Sequence, residues 1–518
     1  MLSNSPFNTT EIKETISPQE EKFERWRNTL GAFLGPVIAL LIYLIPMPSI
    51  SDKAHLLASI LGWVVIWWIT EPIPIPATSI LGVILCVVFN VATAKTVLAP
   101  FADPIIFLFL GSFVLAEAMA IHKLDKRFAY SIMSVKWIGN STGRILFVYG
   151  AITAFISMWI SNTASTAMMF PIGLGIIYAT SDLISKKLGK KVDPAKLRFG
   201  TGMMLMTAYS ASAGGIGTPV GTPPNLIGIA MIDKFAHVKI PFFKWMLITI
   251  PILIVIYIFL FYILYFLHKP EVTKLEGGQE YVKEEYKNLG MWTRGQKNTL
   301  IAFMVTVTLW IIPGFLDIFY GSANPFSQFY NTRVPESIAA LTGMILLFVI
   351  PVNWKKREFT ITWKEAVNID WGTLLLFGGG LTLGSLMFET KLADTIGSGI
   401  FYFTGAGSVW SVTFVAIFLA IVFSEATSNT ASANMIIPVI ISLSIAAGIN
   451  PVPPAIGATL GASWGFMLPI STPPNAIVYG SGMVPIRKMM RAGIIFDVIG
   501  GLVIWLGLRI MLPLVGLG

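Results

Sequence analysis

Two short stretches carry most of the polar chemistry of an otherwise apolar chain. Ser161, Asn162 and Thr163 open "SNTASTAMMFP", and Ser428, Asn429 and Thr430 open "SNTASANMIIP". Both lie inside hydrophobic runs. A second pair follows each of them: "GTPPN" at Gly221–Asn225 and "STPPN" at Ser471–Asn475. Ser, Asn and Thr form helices poorly but cap them well, because their side-chain oxygens take the free backbone N–H groups of a first turn. Two consecutive prolines end one helix and fit the first turn of the next. Each stretch therefore predicts a broken helix. In a membrane such a break is tolerated only where it lines a protein-enclosed or watery cavity. The half-helix that restarts there turns its positive dipole end and its free N–H groups into the cavity. That is the chemistry of an anion site.

Four breaks, two in each half of the chain, predict a site with two equivalent anion-binding ends. Such a site suits a dicarboxylate rather than a monocarboxylate. No Lys or Arg lies within the four stretches. Hydroxyls, amides and helix ends would hold the dianion, and positive charge must come from elsewhere, most simply from a bound cation. Ser157 stands one turn before Ser161, and Ser424 one turn before Ser428. Each adds a hydroxyl beside a break, the hard oxygen that Na+ accepts. One such cluster has a plainer explanation, in which Ser and Thr bond back to the preceding turn and Asn packs between helices. Its recurrence in two equivalent places argues against that.

The elements that must position these residues are membrane helices. The chain has 518 residues, of which 55% are apolar and 12% charged, and its mean hydropathy is +0.74. Soluble domains carry about twice that charged fraction. Apolar runs long enough to cross a bilayer recur from end to end. They fall at about 29–48, 54–71, 76–93, 145–160, 164–181, 202–230, 243–267, 297–315, 336–352, 409–427, 431–449, 454–480 and 492–514. The runs 104–121 and 372–388, which contain Gly111 and Gly378–Gly380, read either as spans or as re-entrant hairpins. The run 202–230 contains "GGIGTPVGTPPN", which reads as a helix break; its glycines do not form GxGxxG and no strand precedes them, so a nucleotide site is ruled out.

Residues 1–28 are polar and read as a cytoplasmic tail without the apolar core of a signal peptide. Residues 29–267 form a first membrane half, 268–296 a charged connecting loop, and 297–518 a second membrane half. The halves repeat. Ser161 and Ser428 lie 267 positions apart, as do Pro171 and Pro438, and as do "FLFLGS" around Gly111 and "LLLFGG" around Gly378. The TPPN pair is 250 apart. After the first Gly run comes "HKLDKR" (His122–Arg127), with three Lys or Arg; the matching place holds "ETKLADT" (Glu389–Thr395), with one Lys, one Glu and one Asp. Equivalent loops on opposite faces differ in this way, so the repeats are expected to be inverted.

Other classes fit poorly. The net charge of +9 sits in short loops, where Lys and Arg set orientation, and does not indicate nucleic acid. A single cysteine, Cys86, allows no internal disulfide and argues against a metal cluster. Four His and the absence of HExxH, a P-loop or a catalytic Cys–His pair argue against an intramembrane enzyme. A channel fits a charged, two-ended site less well than alternating access does. Among the acidic groups, Glu425 and Glu71 are either functional intramembrane carboxylates or helix-end caps and scaffold partners. Asp103, before Pro104, is expected to start a hairpin as a cap.

With these motifs the chain resembles the divalent anion/sodium symporter family, the bacterial and animal transporters of succinate, malate, citrate and related acids. The resemblance runs from "WWITEPIPIPATS" (Trp67–Ser79) through "PIIFLFLG" to "MLPISTPPNAIVYGSG". It implies an all-α polytopic protein of two inverted repeats with broken helices and re-entrant hairpins, working as an elevator and assembled as a homodimer in the cell membrane. It implies Ser161, Asn162, Thr163, Thr222 and Pro223 at one end of the substrate site, and Ser428, Asn429, Thr430, Thr472 and Pro473 at the other. It further implies one Na+ among Ser157, Ser161, Asn162 and Gly221, and a second among Ser424, Thr427, Asn429 and Ser471. Ser424 stands where sodium-coupled members carry threonine, and the hydroxyl is kept. No cofactor is implied beyond Na+ as coupling ion. The expected function is Na+-coupled uptake of C4 or C5 dicarboxylates; the alternative is a sodium-independent exchanger of the same family.

Overall fold

The computed structural model of the chain describes residues 18–517 apart from 136, 137, 139, 275–277, 322 and 405–407. The described residues are almost entirely helical, as expected. The exception is a small antiparallel hairpin that pairs Pro351–Asn353 with Glu358–Phe359. Among the described residues, ten helices are long and apolar enough to cross a membrane. The first helix begins at Pro18, with its apolar part from Glu24, rather than near Thr29. Its polar opening turns are rich in Glu, Lys and Arg, which are good helix formers. Most of the polar tail, residues 1–17, lies outside the described residues.

Both Gly-containing runs are single helices of span length, Pro104–Ile121 and Trp371–Glu389. Each is followed, across a lysine, by a shorter helix: Leu124–Met133 after Lys123 and Leu392–Thr404 after Lys391. Both lysines take the left-handed backbone, at φ 54° and 62°. The shorter helices, of ten and thirteen residues, reach roughly 15–20 Å, short of a bilayer core of roughly 30 Å. Asp103 caps the first span-length helix as expected, accepting from the Ile105 N–H at 2.9 Å. Asp370, at the 267-residue offset, caps the second by accepting from Thr373 N–H at 3.0 Å.

The runs 202–230 and 454–480 are each two helices. The first divides into Arg198–Gly214 and Pro223–Ala236, and the second into Val452–Gly461 and Pro473–Tyr479. In both, Pro-Pro fills the first turn of the later helix, as expected, but does not end the earlier one, which has already stopped at Gly214 or Gly461. The span expected at 336–352 is Glu336–Val349, bent by 53° from Pro325–Arg333 across Val334 and Pro335. Proline disfavours helical backbone in the residue before it, which accounts for the bend. The connector between the halves carries the helix Gly278–Asn288 and is held to the first half by Arg127. This buried guanidinium donates to the carbonyls of Leu289 at 2.8 Å and Gly290 at 2.9 Å.

The halves interlock at the breaks. Asn162–Leu188, from the first half, packs on Pro473–Tyr479 from the second. Pro223–Ala236, from the first, packs on Asn429–Ala446 and Val452–Gly461 from the second. Each half thus completes the other. The approach is close: a Cβ on Gly228 would lie 2.0 Å from Thr459 Oγ1. Small residues allow such contact where bilayer tails offer no hydrophobic drive to associate.

Inversion of the repeats makes a direct prediction about sidedness. Lys126→Cys and Asp394→Cys, each placed on a Cys86→Ala background, should react with a membrane-impermeant thiol reagent from opposite faces. Labelling of both from one face would mean parallel repeats.

Candidate anion and cation site at the paired helix breaks

Both Ser-Asn-Thr stretches break their helices in the same way. Thr142–Ser157 gives way to Asn162–Leu188 with Ser161 as the cap, and Val409–Ala426 gives way to Asn429–Ala446 with Ser428 as the cap. Ser161 Oγ accepts from the Ala164 N–H at 3.2 Å, and Ser428 Oγ from the Ala431 N–H at 3.2 Å. The serine one turn earlier then fixes the asparagine. Ser157 Oγ donates to Asn162 Oδ1 at 2.8 Å, and Ser424 Oγ donates to Asn429 Oδ1 at 2.8 Å. An amide held by its oxygen keeps its N–H donors for a different acceptor. Asn162, Asn429 and Thr430 are half-buried, and Ser161 and Thr163 are exposed, so the breaks open onto accessible space.

The TPPN segments supply the remaining half-helices. Thr222 precedes Pro223–Ala236 and Thr472 precedes Pro473–Tyr479, each in extended backbone with proline in the first turn. Thr472 Oγ1 accepts from Asn475 N–H at 3.4 Å, whereas the Thr222 hydroxyl makes no cap bond. The closing asparagine of each motif has a function that the sequence reading did not assign. Asn225 Nδ2 donates to Gly215 O at 2.9 Å and Thr218 O at 2.8 Å. Asn475 Nδ2 donates to Gly465 O at 3.2 Å and Leu468 O at 3.0 Å. The signal was present in the sequence as an identical residue at the repeat offset.

The unwound carbonyls are otherwise well accounted for. In the first half Trp245 Nε1 donates to Ile216 O at 3.0 Å, and Thr249 Oγ1 to Gly217 O at 3.1 Å. The Thr218 hydroxyl donates to Met158 O. In the second half Tyr209 donates its hydroxyl to Phe466 O at 2.7 Å.

Oxygen atoms crowd where the resemblance implies cations. A Cβ on Gly221 would sit 2.5 Å from Gly215 O and 3.0 Å from both Ser157 O and Met158 O. Only glycine leaves that space, and Asn162 Oδ1 lies 2.4 Å from where a Cβ on Gly215 would stand. Carbonyl, hydroxyl and amide oxygens are the hard donors that an alkali cation takes. At the second break, Ser424 O and Oγ lie 3.0 and 3.1 Å from where a Cβ on Gly465 would stand. Two expected contributors have their hydroxyls committed elsewhere. Thr427 Oγ1 donates to Trp68 O at 2.8 Å, and Ser471 Oγ to Glu425 Oε2 at 2.5 Å.

The two acidic candidates separate. Glu71 ends the helix Asp52–Thr70 in left-handed backbone, its own N–H bonded to Trp67 O at 2.9 Å, and so serves a helix end. Glu425 lies at the second break itself.

Comparison with known proteins follows the same outline. A family model described as the sodium:sulfate symporter transmembrane region matches residues 27–515. A Staphylococcus saprophyticus protein named sodium-dependent dicarboxylate transporter SdcS is 36% identical, across 96% of this chain and 93% of its own. Its namesake from Staphylococcus aureus strain MSSA476 is 36% identical across 94% and 91%. Two solved structures share the fold at 13% identity. The YdaH transporter of Alcanivorax borkumensis gives a TM-score of 0.51 over 95% of this chain and 97% of that one. MtrF of Neisseria gonorrhoeae, titled as illuminating a class of antimetabolite efflux pumps, gives 0.52 over 82% and 84%. The family match takes in all four helix breaks, and the chain belongs to the sodium:sulfate symporter family.

Proposed function

We propose that this protein is a secondary transporter that carries C4 and C5 dicarboxylates, of the succinate, malate, fumarate and 2-oxoglutarate class, across the cell membrane together with Na+. The observation that carries the reading is the twinned pair of Ser–Asn bonds at 2.8 Å, one in each half, on half-helices that pack reciprocally. The twinning matches a substrate with a carboxylate at each end. The relatives named sodium-dependent dicarboxylate transporters favour symport over the exchanger alternative. The family is one of symporters, not of enzymes.

Asn162, Thr163, Thr222 and Pro223, with the Ser161 cap, hold one carboxylate; Asn429, Thr430, Thr472 and Pro473, with the Ser428 cap, hold the other. One Na+ binds among Ser157, Ser161, Asn162 and Gly221, and one among Ser424, Thr427, Asn429 and Ser471. The interlocked break helices and hairpins move as one transport unit of an elevator, against scaffold spans that form a homodimer. A lone dianion entering an inside-negative cell would be opposed by about 2.3 kcal/mol per charge per 100 mV. Two Na+ cancel that opposition.

Three measurements in proteoliposomes test this reading. Asn162→Ala and Asn429→Ala should each weaken succinate affinity by roughly tenfold to a hundredfold while folding normally, since a lost hydrogen bond to a charged group costs about 1.5–3 kcal/mol. Wild-type affinity in either folded variant removes that end from the site. Butyrate should compete more than about tenfold worse than succinate, because it lacks one charged anchor; equal competition means a one-ended site. Uptake into empty liposomes should rise steeply with external Na+, and Ser157→Ala should blunt the rise. Uptake that ignores Na+ and requires an internal dicarboxylate makes the protein an exchanger.

A further inference from the structure

Two long helices open on the same pattern, Pro-x-x-Lys-x-Met: Phe242–Leu267 after Pro241, and Ile486–Leu514 after Pro485. Proline supplies no side-chain cap at either. The positive dipole end and the first N–H groups of each helix must therefore find an acceptor outside it. In the first half a protein carboxylate provides one: Glu336 Oε1 accepts from the Phe242 N–H at 2.9 Å. In the second half the first turn holds no acid. Arg487 and Lys488 stand there instead, with Arg491 one turn on. Cations at the positive end of a helix are unfavourable unless an anion joins them. Among the described residues none of the three is ion-paired.

A buried polar group lies beside this helix start. His268, just past the end of Phe242–Leu267, is 5% exposed, and its Nε2 has no hydrogen-bond partner. Lys488 and Arg491 face its ring; burial first, and these two cations second, lower its pKa to about 4, so the imidazole is neutral. Lys488 Nζ donates to Thr201 Oγ1 at 3.4 Å, a long bond to a neutral oxygen. Arg487 and Arg491 are exposed. The level is that of a membrane surface. Both helices are long and apolar enough to span, and they pack together with the end of one beside the start of the other. Tyr262 and Phe266, within two turns of His268, are exposed, as aromatic side chains at a bilayer interface are.

We propose that the start of Ile486–Leu514 binds the phosphate of an anionic phospholipid. The phosphate takes the place that Glu336 fills at the matching helix. Its oxygens accept from the uncapped first-turn N–H groups, and Arg487, Lys488 and Arg491 surround it. A lipid-borne phosphate suits the position, at the end of a span and beside exposed aromatic side chains. The neighbouring turn adds to the attraction: residues 186–196 hold five lysines and one aspartate. That turn leads into Arg198–Gly214, which is tied to the same corner by the Thr201 hydroxyl donating to Met483 O at 2.9 Å. Basic clusters beside a span draw anionic headgroups in this way. The site is independent of the transported substrate and of the coupling ion.

The test is thermal unfolding of the purified full-length protein in uncharged detergent at fixed NaCl, followed against rising fractions of phosphatidylglycerol or phosphatidylcholine. Phosphatidylglycerol should stabilise the wild type far more than phosphatidylcholine does. Arg487→Gln combined with Arg491→Gln should weaken the apparent affinity for phosphatidylglycerol by roughly twenty-fold, since each basic residue at an anionic surface is worth about fivefold, or about 1 kcal/mol. Arg487→Glu, which puts a carboxylate into the first turn, should also weaken it and serves as the second variant if the double one does not fold. Lys355→Gln combined with Arg357→Gln, exposed between the two short strands, should leave the affinity unchanged. An equal response to both lipids, a wild-type response in either folded variant, or the same loss in the control pair overturns the proposal. So does inorganic phosphate that reproduces the full stabilisation in phosphatidylcholine, which would make the ligand a soluble anion.

Discussion

A backbone interrupted within a bilayer has no solvent to take its polar groups, and that constraint shapes the centre of this protein. The first unwound loop shows how fully it is met. The carbonyls of Gly215, Ile216, Gly217 and Thr218 receive Asn225, Trp245, Thr249 and again Asn225. Side chains from two helices thus stand in for the missing helical bonds. What the side chains do not serve is left at the breaks: first-turn N–H groups beyond those the Ser161 and Ser428 caps take, and the amide N–H donors of Asn162 and Asn429. The site is the part of the broken backbone that the protein leaves for a ligand to complete.

Symmetry between the halves is close at the asparagines of the breaks and lapses behind them. Ser157 and Ser424 hold Asn162 and Asn429 at the same 2.8 Å, and Asn225 and Asn475 reach back the same ten and seven residues. The supports differ. Trp245 serves Ile216 O, whereas its counterpart carbonyl, Phe466 O, is served by Tyr209 from a different helix. Thr249 reaches Gly217 O, while the matching position is Gly493, where a Cβ would lie 2.4 Å from Phe466 O. A carbonyl needs a donor but not a particular one. A two-ended ligand needs two like ends. The different demands explain why the facing residues match and the backing residues do not.

The same distinction separates what the sequence made legible from what it hid. The four breaks, the duplication and the Asp103 cap could be read because each rests on local chemistry, a capping residue or a Pro-Pro pair, repeated at a fixed offset. The long runs at 202–230 and 454–480 hid two helices apiece because hydropathy averages over a short unwound loop. The runs 104–121 and 372–388 read either way because a helix of eighteen or nineteen residues has the length of a span, and the shorter helix that follows each carries too many polar residues to stand out in hydropathy. Contacts between the halves, such as Asn162–Leu188 against Pro473–Tyr479, leave no periodic trace. Nor does the sequence reveal that the Thr427 and Ser471 hydroxyls are committed to Trp68 and Glu425. A residue type announces what a side chain can do, and only the packing decides which of those things it does.

The absence of Lys and Arg from the four break segments gives the transport reading its logic. A fixed cation at the site would hold a dianion whether or not Na+ was present, and it would remain as a buried charge once the substrate had left. A site built from hydroxyls, amides, carbonyls and helix ends carries no net charge of its own. On the proposed reading it would bind a dianion well only when cations occupy the oxygens beside it, and would hold those cations better when the dianion is there. Each ligand raises the affinity for the other by the same factor, because the coupling free energy is shared. Loaded with two Na+ and a dicarboxylate, the four segments would enclose little net charge; emptied, they contribute none of their own. Both are the states in which moving the site through a low-dielectric layer is least opposed, whereas a site holding the dianion alone would carry two uncompensated charges. On the proposed reading, coupling follows from leaving Lys and Arg out of the four break segments.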